Sequence, residues 1–509
     1  MYVKNPILPG FYPDPSVCKA GNKFYLVNST FTYFPGIPIF ESENMGEWHQ
    51  IGNAIDKNSH ISFEGCDHSQ GIYAPTVRFN KGRFYIIATN VGKEGNFIVT
   101  AESPEGPWSE PHFLGEEAKG IDPSLFFDED GTCWYIGQRE NSKGSKYFGD
   151  CEIWMRRLNI ETFSLEGQEY VVLKGFQKNA VWPEGPHLYK RGGYYYILHA
   201  EGGTEINHCV VVARSKIVTG PYEYCPRNPI LTHRHLGKQA EITCVGHGDF
   251  VEDMYGDWYM VVLGCRPEQG HTLRGRETFL AKVEWEEDWP VINPGRGILE
   301  KEVEIQEKME RKKKALILHQ NSSHEFLVHG VPKTGMIIRD KEAGSFTLKM
   351  QEATLKEDTS PSYAAVRLQD SCCYISAEFQ LVSEEKKDCA GLAIFQDNKN
   401  HIRFEYYGQE KSIRLVVCCK EKEEIVKEIK DEAEAFKIFI NGLKADFWWR
   451  KERGWTSFAS NVDLRFLSTE SAGGFTGCTV GIYASSNGEK SQGYARFEKF
   501  IYNKNLLNF

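Results

Sequence analysis

Val181–Gly203 reads VWPEGPHLYKRGGYYYILHAEGG. A lone acid, Glu184, stands among prolines and a glycine. A short strand-like segment, His187–Tyr189, follows, then a basic Gly-Gly turn at Lys190–Gly193 and the aromatic strand Tyr194–His199. Gly-containing turns between runs of β-formers signal a hairpin, here with a carboxylate at the mouth of its first strand. The layout occurs four more times. Asp14-Pro15-Ser16-Val17 leads to Phe24-Tyr25, Ala74-Pro75-Thr76-Val77 to Phe84-Tyr85, Asp122-Pro123-Ser124-Leu125 to Trp134-Tyr135, and His247-Gly248-Asp249-Phe250 to Trp258-Tyr259. Taken as Asp14, Ala74, Asp122, Glu184 and His247, the leads are 60, 48, 62 and 63 residues apart. An all-β unit repeating at this length, punctuated by Gly and aromatics, is the signature of a propeller blade. Equivalent first-strand positions ring a propeller's axis, so the leads are expected to converge at one mouth. An Asp before Pro is, taken alone, commonly a turn former. Three carboxylates and a histidine in register read as a site.

Composition sets the bounds. At 509 residues, two or three domains are expected. The net charge of −10 argues against a nucleic-acid partner, which would want a basic face. No apolar run approaches membrane-spanning length, so no membrane partner is expected. MYVKNPILPGFYPDPS enters the first repeat directly, without the basic and apolar regions of a signal peptide. A cytoplasmic protein is therefore expected. Its 14 cysteines, scattered and without a CxxC pair, read as reduced packing residues, not as zinc ligands or disulfides.

Residues 1–300 are short β segments broken by Gly, Pro, Asn and Asp, with blade-ending turns such as Ser103–Trp108 and Thr219–Tyr222. This part reads as a five-bladed β-propeller. The mixed-charge run Leu299–Lys314 marks a linker, placed at 301–320. From 321 to 509 at least ten alternating or apolar segments follow, and so many strands in that length predict a two-sheet β-sandwich. The charge-rich run Lys420–Glu434 reads as a solvated loop or strand edge. The chain is all-β throughout.

The lead residues and their neighbours resemble glycoside hydrolase family 43. Asn5-Pro6-Ile7 with Tyr12-Pro13-Asp14-Pro15-Ser16 matches its N-terminal motif, and Gln70–Thr76 its second-blade motif. Gly120–Ser124, Trp182–Pro186, Gly246–Gly248 and Gly275–Leu280 match the rest, in order. The second part looks like the concanavalin-like sandwich appended in the β-xylosidase branch. One departure is Tyr73, where many members carry Trp.

The resemblance implies an inverting exo-glycosidase, with Asp14 as general base, Glu184 as general acid, and Asp122 holding Glu184 in place and raising its pKa. Inversion needs roughly 6.5–9.5 Å between base and acid, to leave room for water. An ionised neighbour disfavours ionisation of Glu184, which is the physics of the third acid. Arg276 is expected to clamp sugar hydroxyls and steady an acid, the alternative being a structural pair with Glu277. His247 is expected in the axial channel below the sugar, and Phe31 and Tyr73 as aromatics facing it. The Gly473–Gly477 loop offers Phe475 either to a neighbouring pocket or to a hairpin core, and His199 and Glu201 are candidates for the rim.

No cofactor is required by this chemistry. The resemblance leaves Ca²⁺ near His247 open, although one His without an acidic ligand cluster does not specify an ion. The leading substrate is a β-1,4-xylo-oligosaccharide shortened from its non-reducing end, and the alternative an arabinose-substituted oligosaccharide cut by an α-L-arabinofuranosidase or a bifunctional enzyme. A non-catalytic carbohydrate-binding propeller is a further alternative, and a homo-oligomer is compatible with the sequence.

Overall fold

A computed structural model describes residues 2–305, 324–340 and 342–504. Most of the charged stretch read as a linker, and the first residues of the second domain, lie outside the described residues. Five separate sheets hold the five repeats. Blade one is built from Ser16–Ala20, Lys23–Val27, Gly36–Ser42 and His49–Ile55, and blade two from Gly71–Asn80, Arg83–Val91, Gly95–Ala101 and His112–Phe113. Blade three is Ile121–Phe127, Cys133–Glu140, Cys151–Asn159 and Ser164–Leu173. Blade four is Glu184–Arg191, Tyr194–Glu201, Cys209–Ser215, Glu223–Tyr224 and the added Leu231–Thr232. Blade five is Thr243–Glu252, Trp258–Cys265, Glu277–Glu286 and Trp289–Ile292.

Hydrophobic cores lie between neighbouring blades, and the last closes the ring: Val261 and Leu280 of blade five pack with Val17, Phe24 and Leu26 of blade one. Successive strand residues face opposite ways, which sorts the aromatic pairs. Phe24 packs toward blade five and Tyr25 toward blade two. In blade three the order reverses: Tyr135 joins the core shared with blade two, and Trp134 the core shared with blade four. Register explains the reversal. Ser16 pairs with Val27 two places beyond Tyr25, whereas Ser124 pairs with Ile136 one place beyond Tyr135. A one-residue slip turns a side chain to the other face, so Trp134 is the true counterpart of Tyr25.

Tyr2–Lys4 pairs antiparallel with Glu302–Glu304, which lies inside the stretch read as linker and instead joins the propeller's two ends. The Asn5 amide donates to the carbonyls of Leu280 and Glu300, both at 2.8 Å, and secures the join.

The second unit is a sandwich of an eight-stranded and a seven-stranded sheet. The seven-stranded sheet runs in the order Ile337–Asp340, Ser345–Lys349, Tyr494–Asn503, Cys372–Val382, Ala435–Asn441, Lys444–Arg450 and Thr456–Asp463. Lys422–Lys430, from the charge-rich run, is an exposed edge strand of the other sheet. At that sheet's opposite edge Leu327–His329 pairs with Tyr33–Phe34, which belongs to the propeller. One sheet therefore crosses the domain boundary. Arg367 pins the same boundary: its Nε donates to the Phe11 carbonyl (2.8 Å), and its guanidinium lies 4.8 and 4.2 Å from the rings of Phe11 and Tyr12.

Candidate active site

Four of the five leads behave as the repeat demands; the fourth is displaced by one residue. Asp14, Ala74, Asp122, Gly185 and His247 all have left-handed φ, between 34° and 59°. Asp14, Ala74, Asp122 and Gly185 each stand two residues before the pair at which regular cross-strand register begins or resumes, and His247 stands two residues before Asp249, which pairs with Val261. Gly185, not Glu184, is thus the register-mate of Asp14 and Asp122. A side chain there would meet the His247 ring at 2.9 Å, so the position takes glycine. Glu184 stands one residue upstream, opposite Ala200.

A cavity of about 510 Å³ opens at this end of the axis, and its wall includes every residue assigned to substrate or catalysis from the sequence: Asp14, Phe31, Tyr73, Asp122, Glu184, His247, Arg276 and Phe475. Asp14 is buried. It accepts from Arg276 Nη1 at 2.9 Å and from Ser29 Oγ at 2.6 Å. Burial pushes its carboxyl up, but Arg276, His247 and the Ser29 hydrogen bond together hold it below the ordinary value. Glu184 moves the other way. Burial first, then the charges of Asp122 and Asp14, push it well above the usual carboxylate range. Asp122 is pushed up to about 6, by burial and by Asp14. The three acids therefore differ in protonation: Asp14 is ionised under conditions that keep Glu184 protonated.

Arg276 does not pair with Glu277. That carboxylate is held by Arg266, through Nε at 2.6 Å and Nη2 at 2.7 Å. Besides Asp14, Arg276 donates to Thr204 Oγ1 (2.9 Å) and the Phe475 carbonyl (3.4 Å).

Phe475 is a wall of the cavity and not part of a hairpin core. Its ring stacks with Phe31 at 6.4 Å and meets Tyr73 edge-on at 6.0 Å. Glycines bring it there: added side chains at Gly275 and Gly477 would meet the facing backbone at 2.8 and 2.5 Å, so the two segments touch main chain to main chain. Thr476 then bonds His68 of the propeller at 3.1 Å.

His199 and Glu201 are not at the rim. Both are buried in blade four, where the Glu201 carboxylate accepts from the Phe176 N–H and His199 Nδ1 contacts the Ala200 carbonyl. The sequence reading missed Trp182, Phe148, Thr204, Glu205, Asn207 and His208, all of which line the cavity. Trp182 lay inside the quoted motif and could have been chosen. Phe148 is 83% exposed and stands edge-on to Trp182 at 5.5 Å, in a loop without periodicity to mark it.

Calcium does not fit beside His247. His247 Nδ1 lies 3.7 Å from Asp14 and 3.9 Å from Asp122, and next to it along the axis are His187 and the guanidinium of Arg78. An ion wanting six to eight oxygens finds a fixed cation there instead. Elsewhere among the described residues, His401, Cys418 and Glu423 come together, but Glu423 is already ion-paired with Arg403 and Lys356.

Comparison with known proteins agrees with the geometry. Residues 3–290 match the glycosyl hydrolases family 43, and residues 319–503 the β-xylosidase C-terminal concanavalin A-like domain. The chain belongs to family 43 and is a glycoside hydrolase. It is 44% identical to a xylosidase/arabinosidase of Butyrivibrio fibrisolvens, over 97% of this chain and 98% of that one. It is 33% identical to a non-reducing end α-L-arabinofuranosidase of Bacteroides ovatus, over 98% and 94%. Among solved structures, the xylan β-1,4-xylosidase of Bacillus halodurans superposes with a TM-score of 0.89 at 29% identity, covering 98% of this chain and all of the other.

Proposed function

We propose that this enzyme removes single terminal sugars from the non-reducing ends of xylo- and arabino-oligosaccharides, accepting both β-xylosyl and α-L-arabinofuranosyl units, with inversion. The observation that carries the mechanism is the opposite protonation bias of Asp14 and Glu184 in one cavity. Asp14, kept ionised, takes a proton from water as that water attacks the anomeric carbon. Glu184, kept protonated, gives its proton to the departing oxygen. Pairs of carboxyl groups whose surroundings drive their pKa values apart are how such enzymes divide acid from base. Asp122 keeps Glu184 protonated. Arg276 fixes Asp14 and presents its remaining donors to sugar hydroxyls. The rings of Phe31, Tyr73 and Phe475 pack against one another as one aromatic wall of the cavity, which supports the stacking of a terminal sugar there. The dual preference is favoured over xylosidase alone by the full-length relatives, whose names include arabinose-releasing activity.

Parallel assays with aryl β-xyloside and aryl α-L-arabinofuranoside test the specificity. Comparable kcat/KM on both is expected; activity on one alone would overturn the dual reading. Proton NMR of the first-formed sugar tests the stereochemistry, and initial release of the retained anomer would remove the assignment of Asp14 as base.

A further inference from the structure

Arg78, on the first strand of blade two, sends its side chain into the axis. Nη1 donates to Asp249 Oδ2 and the Val77 carbonyl, both at 2.8 Å, to Ser16 Oγ at 3.2 Å and to the Val17 carbonyl at 3.4 Å. Nη2 reaches Asp249 Oδ1 at 3.2 Å and His187 Nδ1 at 3.0 Å. Four blades thus meet on one guanidinium. Its counter-ion is fully buried: Asp249 also accepts from Ser16 Oγ (2.7 Å), the Val17 N–H (3.0 Å) and Tyr189. A buried carboxylate without a cation would cost several kcal/mol, roughly, so the fold must supply one here. The acceptors around Nη1 are all oxygens, the set a hard divalent ion would choose. The chain fills that cage with its own charge.

The same side chain reaches toward the reaction. Because Arg78 donates to His187 Nδ1, the proton of neutral His187 sits on Nε2, and the ring's orientation is fixed. That ring lies 6.4 Å from the ring of His247, which stands against Asp14 and Asp122.

We infer that Arg78 is the resident cation of the propeller axis, standing where a divalent metal would otherwise bind, and that through His187 and His247 it positions the carboxylates of Asp14 and Asp122. The second half rests on the roles given to those acids above. The first half does not.

Equilibrium dialysis against Ca²⁺ and activity after EDTA treatment test the first half. The unaltered enzyme is expected to retain no Ca²⁺ and to lose no activity; one tightly held Ca²⁺ per chain, with activity lost to EDTA, would overturn it. Arg78→Ala tests the second. Its kcat is expected to fall by tenfold or more, its pH profile to shift, and millimolar guanidinium ion to restore much of the loss. Parental kcat and pH profile in that variant would overturn the positioning role. Should Arg78→Ala not fold, Arg78→Lys keeps the charge but loses the fork, and an unchanged pH profile there is equally decisive against it. An unaltered enzyme inactive on both aryl glycosides would instead count against the proposed function.

Discussion

Asp14 and Glu184 differ less in chemistry than in company. Asp14 has a guanidinium and a hydroxyl on it; Glu184 has two other acids near it and, among the described residues, no hydrogen bond from Arg276 or a hydroxyl. That difference has a kinetic signature. A well-placed general acid is worth about 10²–10⁴ in rate, and mainly when the leaving group is poor. Glu184→Ala should lose activity on xylobiose by about that factor, yet keep most activity on a dinitrophenyl glycoside. Asp14→Ala removes the base that water needs with either substrate, so both activities should collapse together. If the Asp14 variant were spared by the activated substrate, acid and base would be reversed. Asp122→Asn takes a negative charge from beside Glu184 and lets that carboxyl ionise more readily. The basic limb of the pH–rate profile should therefore move to lower pH; an unmoved limb would show that burial alone keeps Glu184 protonated.

At the scale of single elements, the Gly473–Gly477 loop carries a side chain from the sandwich into the propeller's cavity. An aromatic contact of this kind is worth about 0.5–1.5 kcal/mol, or about two- to tenfold in binding. Phe475→Ala should lower kcat/KM on xylobiose by about that factor, chiefly through KM, and unchanged kinetics would reduce the loop to a structural turn. The elements also show where sequence reading succeeds and where it stops. Five hairpins with leads and aromatic pairs were legible because turn chemistry and strand composition are local. The one-residue offset of Glu184 was not. A strained lead position takes glycine as readily as Asp, and only the cross-strand pairing reveals that Gly185 occupies it. His199 and Glu201 looked available because they follow a strand's end, but strand pairing continues through Glu201 and keeps both inside the blade. The residues from Thr204 to His208 reach the cavity from a loop, where no period exists to read. Arg78 was invisible for another reason: its partners come from four different repeats.

Across the whole molecule, histidines are buried in both domains and at the seam between them. Burial drives His187, His208 and His401 down to about 3 and His329 to about 4. An unfolded chain protonates its histidines near pH 6.5, roughly, whereas these stay neutral when folded. Their contribution to stability is therefore complete above that value and is lost as pH falls, toward about 4 for His329 and about 3 for the other three, by up to about 1.4 kcal/mol per pH unit for each group. Asp122 and Glu184, raised in the folded state, work in the opposite sense but are fewer. The melting temperature should fall by several degrees between pH 7 and pH 5, and a flat profile in calorimetry would show that the histidines are protonated in place. His68 makes the effect local as well as global. It is driven well below its ordinary value, its ring lies 5.0 Å from that of His329, and it bonds Thr476 within the loop that carries Phe475.

The sheet that crosses the domain boundary also orders events in time. Synthesis runs from Asp14 toward Phe475, and domains emerging from the ribosome fold in that order. All three carboxylates and Arg276 exist well before the ring that walls their cavity. Tyr33–Phe34, at the propeller's flank, waits for Leu327–His329 to arrive as its neighbour. Tyr494–Asn503, a central strand of the seven-stranded sheet between Ser345–Lys349 and Cys372–Val382, comes later still. A nascent chain halted after blade five would hold its three carboxylates and Arg276 in a basin without the Phe475 wall. The cavity gains its Phe475 wall only when the second domain folds back against the first, so on the proposed reading specificity is the last property this polypeptide acquires.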